Sequence, residues 1–222
     1  MNLALFDLDG TLIPKDSDHA FGEFLVERGW ADAEGFRRRN DAFYEDYLAG
    51  RLDMAAYVAF ATAPWRSRSA AEQSQARAEF VEQVVRPMLP PAAVALVERH
   101  RRAGDLLAIV TATNEFVTRP IATLLGVEVL IATELERDGQ GRVTGAIRGV
   151  PAFREGKIVR VQQWLQGQGR ALADFACSTF YSDSINDLPL LECVSRAVAT
   201  NPGPALARIA QARGWPVLNL FS

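Results

Sequence analysis

Beyond Pro90 the chain alternates short apolar runs with segments of helical spacing, and this alternation restricts the fold more than any other feature. Including one run near the start of the chain, strands are expected at 3–6, 106–110, 127–132, 175–181 and 196–199. Helices are expected at 92–103, before Gly126, at 153–166 and at 204–213, and a polar β-hairpin at 134–147. Strands that alternate with helices favour a parallel sheet covered by helices on both faces. The sequence therefore predicts an α/β fold.

A stretch with a different pattern, 15–86, follows the first apolar run. Its apolar residues recur at helical spacing, and none of it has the pattern of a strand. Its last helix is expected over 70–85 and to end before Pro87, because proline lacks the N–H that a helix interior needs. We interpret 1–14 and 87–222 as one α/β core, with an all-helical cap of 15–86 inserted after the first strand.

The composition is that of an ordinary globular protein. Of the 222 residues, 49% are hydrophobic and 23% are charged, and the formal net charge is −3. This balance argues against a nucleic-acid-binding surface, and no apolar stretch approaches the roughly 18 residues of a membrane span. The first residues lack the basic region of a signal peptide, so a cytoplasmic location is expected. The expected partner is a small molecule, and the oligomeric state is left open.

Polar side chains follow three of the predicted strands. Asp7 and Asp9 come directly after the first run, and Thr111 ends the second. Asp183 and Asp187 follow a later run. Because ligands of parallel sheets bind at the carboxyl ends of the strands, these side chains are expected to converge. Neighbouring carboxylates repel each other unless a cation or a shared proton joins them, so the pattern indicates a cation site or a proton-transfer site.

The same residues match the motifs of a known family. The sequence Asp7-Leu8-Asp9-Gly10-Thr11 resembles the Asp-x-Asp-Gly-Thr motif of the haloacid dehalogenase (HAD) superfamily. Thr111 matches the hydroxyl of the second motif, and Lys157, one of only two lysines, matches the third. The fourth motif, Gly-Asp-x-x-x-Asp, is matched by the segment 182–187 except that Ser182 replaces the glycine. The resemblance implies a Rossmann-like, three-layer core.

The helical insertion and the sequence Glu155-Gly156-Lys157 resemble the phosphoserine-phosphatase branch, subfamily IB. This resemblance implies a phosphatase that forms an aspartyl-phosphate. Asp7 would be the nucleophile that attacks phosphorus. Asp9 would protonate the leaving oxygen and then deprotonate the attacking water. An acid at position 9 also distinguishes the chain from the dehalogenases of the family, which lack one there.

The resemblance further implies Mg²⁺ as the cofactor. Its ligands would be Asp7, Asp183 and the backbone carbonyl of Asp9. Asp187 would orient a bound water or Lys157. The residues that would hold the phosphoryl oxygens are Thr111, Thr113, Lys157 and Asn186.

Substrate specificity would come from the cap. Ten of the 20 aromatic residues lie between Phe21 and Trp65, either as the core of the cap or as a wall facing the substrate. Asp16 stands where phosphoserine phosphatases carry a Glu that meets the amino group of the substrate. The resemblance thus implies an amine-bearing phosphate, such as histidinol phosphate or phosphoserine. His19 either serves the site or is structural, whereas His100 is expected to be structural. Phosphoryl transfer to an alcohol and non-catalytic phosphoryl binding are the alternative functions.

Overall fold

A six-stranded parallel sheet forms the centre of the computed structural model, which describes residues 1–221. In chain order the strands are β1 (Leu3–Phe6), β2 (Leu106–Asn114), β3 (Val129–Thr133), β4 (Leu135–Arg137), β5 (Val143–Ile147), β6 (Ser178–Ser182), β7 (Arg196–Thr200) and β8 (Val217–Leu218). The sheet has the order β3-β2-β1-β6-β7-β8. β4 and β5 form the predicted hairpin and pair antiparallel outside the sheet.

Ten α-helices accompany these strands within the described residues. They are α1 (Ser17–Glu27), α2 (Ala33–Leu48), α3 (Met54–Thr62), α4 (Ala70–Phe80), α5 (Arg86–Met88), α6 (Pro91–Arg102), α7 (Glu115–Leu124), α8 (Glu155–Gln166), α9 (Leu188–Leu191) and α10 (Pro204–Arg213). The first six lie between β1 and β2, and α1 to α4 form the helical insertion that the sequence pattern predicts.

The register of the central strands brings three strand ends to one edge of the sheet. Phe6, the last residue of β1, pairs with Ile109 of β2 and with Tyr181 of β6. Asp7 therefore leaves β1 between the carboxyl-terminal parts of β2 and β6. This is the edge at which the motif residues were expected to converge.

Alternate side chains of β1 enter two hydrophobic cores, because successive residues of a strand point to opposite faces. Ala4 and Phe6 belong to the core that includes side chains of α6 and α7. Leu3 and Leu5 belong to the core that includes side chains of α8, α9 and α10. All four are fully buried, and each large side chain contributes about 1.5–3 kcal/mol. The predicted α/β fold with helices on both faces is confirmed.

Each helix of the insertion from α1 to α4 begins at a side-chain cap. The N-cap residues, whose side-chain oxygens accept backbone N–H bonds of the first turn, are Asp16, Asp32, Asp53 and Ser69. The described structure of 15–86 contains helices and connecting loops and no strand, as predicted. The exact domain boundaries at 15 and 86 stay a prediction.

The helical path at the end of the insertion continues past Pro87, so the prediction that it ends before this proline was wrong. After α4 the backbone makes a π-helical turn over Val81–Val85 and then continues as α5. The Arg86 N–H bonds to the carbonyl of Val81, five residues back. Because this wider turn changes the hydrogen-bond pattern just before Pro87, the missing N–H of this proline does not interrupt the helical path.

Strand β2 is longer than the predicted 106–110. It runs to Asn114, and its pairing with β3 shifts register between Val110 and Asn114. Thr111 therefore lies inside the strand and not at its end. Hydrophobic periodicity does not predict this irregularity, because the residues at which β2 resumes its pairing with β3 are polar. β6 begins at Ser178, later than predicted, and β8 has no predicted counterpart.

Within residues 1–221 no single helix is long and apolar enough to cross a membrane. Only when taken together do the helical segments Ala70–Met88 and Pro91–Arg102 have the length and apolar composition of a membrane span, and the two segments are bent by 96°.

Candidate active site

A buried lysine joins two motif carboxylates at the carboxyl edge of the sheet. Lys157 Nζ donates to Asp7 Oδ1 at 2.8 Å and to Asp187 Oδ2 at 2.7 Å. The lysine is 1% exposed. Burial lowers the pKa of Lys157, but the charges of Asp187 and Asp7 outweigh this effect and raise the pKa overall. The ammonium therefore stays charged and neutralises part of the negative charge around Asp7.

Ser182, which replaces the glycine of the fourth motif, bonds to Asp187. Its hydroxyl donates to Asp187 Oδ2 at 2.7 Å and accepts the N–H of Ser184 at 3.1 Å. Ser182 is completely buried, so its hydroxyl needs partners inside the protein. The departure from the family motif thus adds a second donor to the carboxylate that orients Lys157.

The loop after β1 is fixed by the loops after β6 and β7. The Thr11 hydroxyl donates to Asp183 Oδ1 at 3.0 Å and accepts the Asp183 N–H at 3.0 Å. Gly10 has a φ of +74°, and a Cβ at this position would overlap the Asp183 carboxylate, so conformation and space both require glycine. The Asn201 amide donates to the carbonyls of Gly10 at 3.0 Å and Thr11 at 3.2 Å. These bonds fix where the first and fourth motifs meet.

The Asp7 and Asp183 carboxylates fit a hard divalent cation such as Mg²⁺. Burial, together with the charges of Asp7 and Asp187, raises the pKa of Asp183 well above its usual value. A cation at this point would offset the repulsion between these groups. Over residues 1–221 no three His, Cys, Asp or Glu side chains are grouped as a metal site. Mg²⁺ keeps several waters and needs only one or two protein carboxylates, so a two-carboxylate set suits it.

Asp9 is held by neutral hydrogen-bond donors. Its Oδ1 accepts the Ser17 N–H at 2.7 Å, and its Oδ2 accepts the Thr113 hydroxyl at 2.9 Å. The Thr111 hydroxyl lies 3.4 Å from the same Oδ2. Burial and then the charge of Asp16 raise the pKa of Asp9 to about 7. A carboxyl group with a pKa near neutrality can both donate and accept a proton at working pH.

Two further aspartates lie at the start of α1, beside Asp9. Asp16 Oδ1 accepts the N–H groups of Asp18 at 3.0 Å and His19 at 2.8 Å. Burial raises the pKa of Asp16 to about 6 and that of Asp18 to about 7. The Asn114 amide donates to both oxygens of Asp18, at 3.2 and 3.1 Å. The cap side of the site thus has three carboxyl groups, of which Asp18 is buried and Asp9 and Asp16 are partly buried, and none forms an ion pair with a lysine or arginine of residues 1–221.

A cleft of about 480 Å³, part of it open to solvent, separates these carboxylates from the helices of the insertion. The insertion contributes these lining residues: Asn40, Phe43, Tyr44, Tyr47, Leu52, Met54 and Tyr57. Four of the aromatic residues line the cleft, whereas Phe21, Phe24 and Trp65 are buried in the core, and a contact of the four with substrate stays a prediction. No lysine or arginine of residues 1–221 lines this cleft.

Comparison with known proteins identifies the family. A model of haloacid dehalogenase-like hydrolases matches residues 4–192. The chain belongs to the haloacid dehalogenase-like hydrolases. It is 44% identical over 218 residues to the histidinol-phosphatase of Neisseria meningitidis serogroup C (strain 8013), covering 98% of each chain. It is 30% identical over 224 residues to the phosphoserine phosphatase SerB1 of Mycobacterium tuberculosis (strain ATCC 25618 / H37Rv), covering 96% of this chain and 69% of that one.

Solved structures agree with this assignment to the HAD-like hydrolases. A protein of unknown function from Bordetella pertussis Tohama I is 53% identical and superimposes with a TM-score of 0.93 over 99% of both chains. A substrate-bound phosphoserine phosphatase shares the fold with a TM-score of 0.69 at 16% identity, over 97% of this chain and 91% of that one. The protein is thus a HAD-family phosphatase of the phosphoserine-phosphatase-like type, and the family works through an aspartyl-phosphate.

Asn186 connects the core of this HAD-like phosphatase to its helical insertion. The Asn186 side-chain amide donates to the carbonyl of Tyr47 in α2 at 2.8 Å. Arg154 donates to the carbonyl of Gly50, just beyond α2, at 3.0 Å. The sequence-based role of Asn186 in binding phosphate stays a prediction, whereas its contact with the cap was not foreseen. Both bonds tie the end of α2 to core loops that flank Lys157 and Asp187.

The two histidines of the phosphatase lie in different surroundings. His19 lines the cleft, and its Nε2 bonds to Asp41 Oδ1 at 2.8 Å. His100 lies outside the cleft, with Nδ1 bonded to Asp105 at 2.7 Å and Nε2 bonded to the Tyr181 hydroxyl at 2.8 Å. These buried partners agree with the expected structural role of His100.

Sequence reasoning missed several residues that build the site of this HAD-like hydrolase. Asn201 follows β7 in the same way that Asp7 follows β1, so the strand-end argument would have found it. Asn114 was hidden because β2 was predicted too short. Tyr57 has the spacing of an ordinary packing residue in a helix, and no sequence signal marks it as part of the cleft.

Proposed function

We propose that this protein hydrolyses a small phosphate monoester that carries a protonated amine or imidazole and no carboxylate, and that histidinol phosphate is its substrate. The charge of the cleft carries the proposal. Asp7, Asp9 and Asp16 line it, and no lysine or arginine does so among the described residues. A substrate ammonium is attracted to such a wall, whereas the carboxylate of phosphoserine would be buried without a cation. The histidinol-phosphatase relative, at 44% identity, supports the same substrate.

Asp7 is the nucleophile in this proposal. An Asp7 carboxylate oxygen attacks phosphorus, the bond between phosphorus and the ester oxygen breaks, and the phosphoryl group becomes attached to Asp7. The leaving oxygen takes its proton from Asp9, so the alcohol departs neutral. Lys157 holds the nucleophilic carboxylate at 2.8 Å and supplies a positive charge next to the phosphoryl oxygens.

Asp9 then acts as a base. Its carboxylate removes a proton from a water molecule, whose oxygen attacks phosphorus and displaces the Asp7 carboxylate. Inorganic phosphate leaves, and both aspartates return to their starting states. A single group performs both tasks because its pKa, raised to about 7 by burial and by Asp16, lets it change protonation state between the two half-reactions.

Mg²⁺, held by Asp7, Asp183 and the Asp9 carbonyl, would supply positive charge against the phosphoryl oxygens. Thr111 and Thr113 would contact these oxygens from β2. Thr113 also keeps Asp9 in place through its hydroxyl bond of 2.9 Å.

Asp16 is proposed to bind the substrate amine. Its Oδ1 is occupied by the two N–H groups at the start of α1. Its Oδ2 takes no part in those bonds and can accept from an ammonium group. Because the first turn of α1 holds the carboxylate in a fixed position, little ordering is needed when the substrate binds.

Phosphate release tests the proposal. With Mg²⁺ present, the purified protein should hydrolyse histidinol phosphate with a kcat/KM at least about tenfold above that for phosphoserine, since one uncompensated buried charge costs more than 1.4 kcal/mol. Asp7→Asn should lower kcat by at least about a thousandfold while far-UV circular dichroism is unchanged. Equal or better use of phosphoserine would contradict the substrate. Normal turnover by Asp7→Asn would contradict the mechanism, and phosphoryl transfer to added alcohols would favour a phosphotransferase.

A further inference from the structure

Arg154, which directly precedes α8, has a backbone conformation that residues with a side chain rarely adopt. Its φ is +52° and its ψ is −123°, the geometry of the first central residue of a type II′ turn. The Gly156 N–H donates to the Phe153 carbonyl at 2.9 Å and closes this turn. Glycine is favoured at such a position because it has no Cβ. An arginine here is therefore strained, and a strained residue persists only where other contacts hold it.

The side chain of Arg154 contacts the helical insertion. Its Nη1 donates to the carbonyl of Gly50, just beyond the end of α2, at 3.0 Å. The carboxyl end of a helix carries partial negative charge, which favours a guanidinium beside it. Arg154 also lies 3.8 Å from the carboxylate of Glu155, its neighbour in sequence, and neighbours can pair without a positive φ. The bond to Gly50 is thus the contact that accounts for an arginine in this turn.

The end of α2 meets the core at two further points. The Asn186 amide donates to the Tyr47 carbonyl at 2.8 Å. The ring of Tyr47 packs against the ring of Phe153, the first residue of the turn, with centroids 5.9 Å apart. The end of α2 is therefore docked both on the turn before α8 and on the loop that carries Asp187.

The form of this turn determines where Lys157 lies. The Lys157 N–H donates to the Arg154 carbonyl at 3.1 Å, so the lysine follows the backbone of Arg154. A Cβ at Gly156 would overlap the Pro151 carbonyl oxygen, so the preceding loop packs directly on the start of α8. The ammonium of Lys157 lies 2.8 and 2.7 Å from its two carboxylate partners. A displacement of about 1 Å in such a site can lower the rate about a hundredfold.

The strain and the bond to the cap are of comparable size. A strained conformation disfavours the turn by a factor of about 5 to 150. A hydrogen bond typically favours the structure that contains it by a factor of about 2 to 10. The bond from Arg154 to Gly50 therefore offsets part of the strain, and it does so only while the end of α2 is docked.

We propose that Arg154 is a positioning residue: its bond to the cap offsets the strain of the turn, so that the docked cap holds Lys157 beside the nucleophile. This inference rests on the proposed function, because the lysine acts there on Asp7 and on the phosphoryl oxygens. It is independent of which phosphate ester is the substrate. It assigns part of the catalytic geometry to a residue outside the four motifs.

Two substitutions of Arg154 separate the strain from the bond to the cap. Arg154→Ala removes the bond and keeps the strain, whereas Arg154→Gly removes both. With Mg²⁺ and p-nitrophenyl phosphate, a general phosphatase substrate, kcat should fall about tenfold in Arg154→Ala. In Arg154→Gly it should stay within about threefold of the wild type, because glycine adopts the turn without help. Arg51→Ala removes an exposed arginine, paired with Asp46, next to Gly50; it is the matched control and should leave kcat unchanged.

Amide hydrogen exchange followed by mass spectrometry tests the same two variants without turnover. The protection factors of the Gly156 and Lys157 N–H groups should fall at least about fivefold in Arg154→Ala and stay near the wild-type values in Arg154→Gly. At the end of α2, the Arg51 N–H bonds to the Asp46 carbonyl at 3.0 Å. Its protection should fall about twofold or more in both variants, because both lose the bond to Gly50.

Three results would overturn the inference and leave the proposed function standing. Equal losses of kcat in Arg154→Ala and Arg154→Gly would mean that Arg154 acts through its charge or its hold on the cap and not through the turn. Wild-type kcat in Arg154→Ala would mean that the turn needs no support. Unchanged protection at the end of α2 in both variants would mean that the cap does not supply it. A wild type that releases no phosphate with Mg²⁺ present would remove the proposed function together with this inference.

Discussion

The two halves of the active site differ in how the negative charge of their carboxylates is neutralised. On the core side, Lys157 lies between Asp7 and Asp187 at 2.8 and 2.7 Å, and all three side chains are buried. On the cap side, Asp18 is buried and Asp9 is partly buried, yet their bonds come only from neutral hydroxyl and amide groups. The same residue type is thus neutralised in one half and left without a cation in the other.

This difference corresponds to the two ends of the proposed substrate. The phosphate is an anion and needs a positive side, which Lys157 and a divalent cation would provide. On the cap side, burial raises the carboxyl pKa to about 6 for Asp16 and about 7 for Asp18, and neither forms an ion pair with a lysine or arginine of residues 1–221. In the proposed function, a substrate ammonium would supply the cation. The proposed substrate, with a negative phosphate at one end and a positive ammonium at the other, therefore matches the charge asymmetry of the site.

Replacing the lysine should give the largest effect, because it removes the charge that distinguishes the core half. Lys157→Met leaves two buried carboxylates unpaired and should destabilise the protein by about 3–5 kcal/mol, measured by urea unfolding. Lys157→Arg keeps the charge, but a planar guanidinium cannot take the place of the compact ammonium, so kcat should fall at least about a hundredfold. Lys15→Arg is the control and should change kcat less than about twofold. Wild-type kcat in Lys157→Arg would contradict the assigned role.

Adding a divalent cation should sharpen the comparison by completing the neutralisation of the core half. At a Mg²⁺ concentration of 100 times its Kd, the folded state should gain about 2.7 kcal/mol, a rise in Tm of about 5–10 °C for a chain of this length. Asp183→Asn should abolish this rise. Asp138→Asn, on the exposed hairpin, should keep it. An undiminished shift in Asp183→Asn would show that the cation binds elsewhere.

A pH titration of stability should give the smallest effect and isolate the cap half. The folded-state pKa of Asp18, about 7, lies above its ordinary value of 3.8, so the unfolded chain releases this proton first as pH rises. The free energy of unfolding should therefore fall from about pH 4 to about pH 7 and then level, with chelator present. Asp18→Asn should reduce the fall by about 1–3 kcal/mol. Asp46→Asn, which changes a partly exposed acid paired with Arg51, should follow the wild type. Parallel curves for Asp18→Asn and the wild type would contradict this origin.

Local sequence rules predicted the parts of the molecule that depend on neighbours in the chain. The apolar run of β1 and the acids that follow it indicated a strand with carboxylates at its end, and the sheet places this strand at its centre. The longer β2 and the passage through Pro87 were not predicted, because a register shift and a π-helical turn leave no periodic trace.

The partners of Asp18 show the same limit inside the site. The Asn114 amide reaches this carboxylate from a distant part of the chain, so its role exists only in the folded protein. Apolar helical residues recur at the same spacing whether they pack in the core or line a cleft, so the spacing does not distinguish the two roles. The motif acids were therefore predictable, while the groups that set their protonation were not.

The bonds of Asn201 have a consequence for the order in which the protein acquires activity. One side chain joins the turn at Gly10 and Thr11 to the backbone N–H of Leu220, which its Oδ1 accepts at 2.6 Å. Asn201 and Leu220 are synthesised long after the loop that follows Asp7. A nascent chain that has not yet reached them would hold Asp7 in a loop that lacks this restraint, so competence for the proposed phosphoryl chemistry should arise only once both residues have been synthesised and folded.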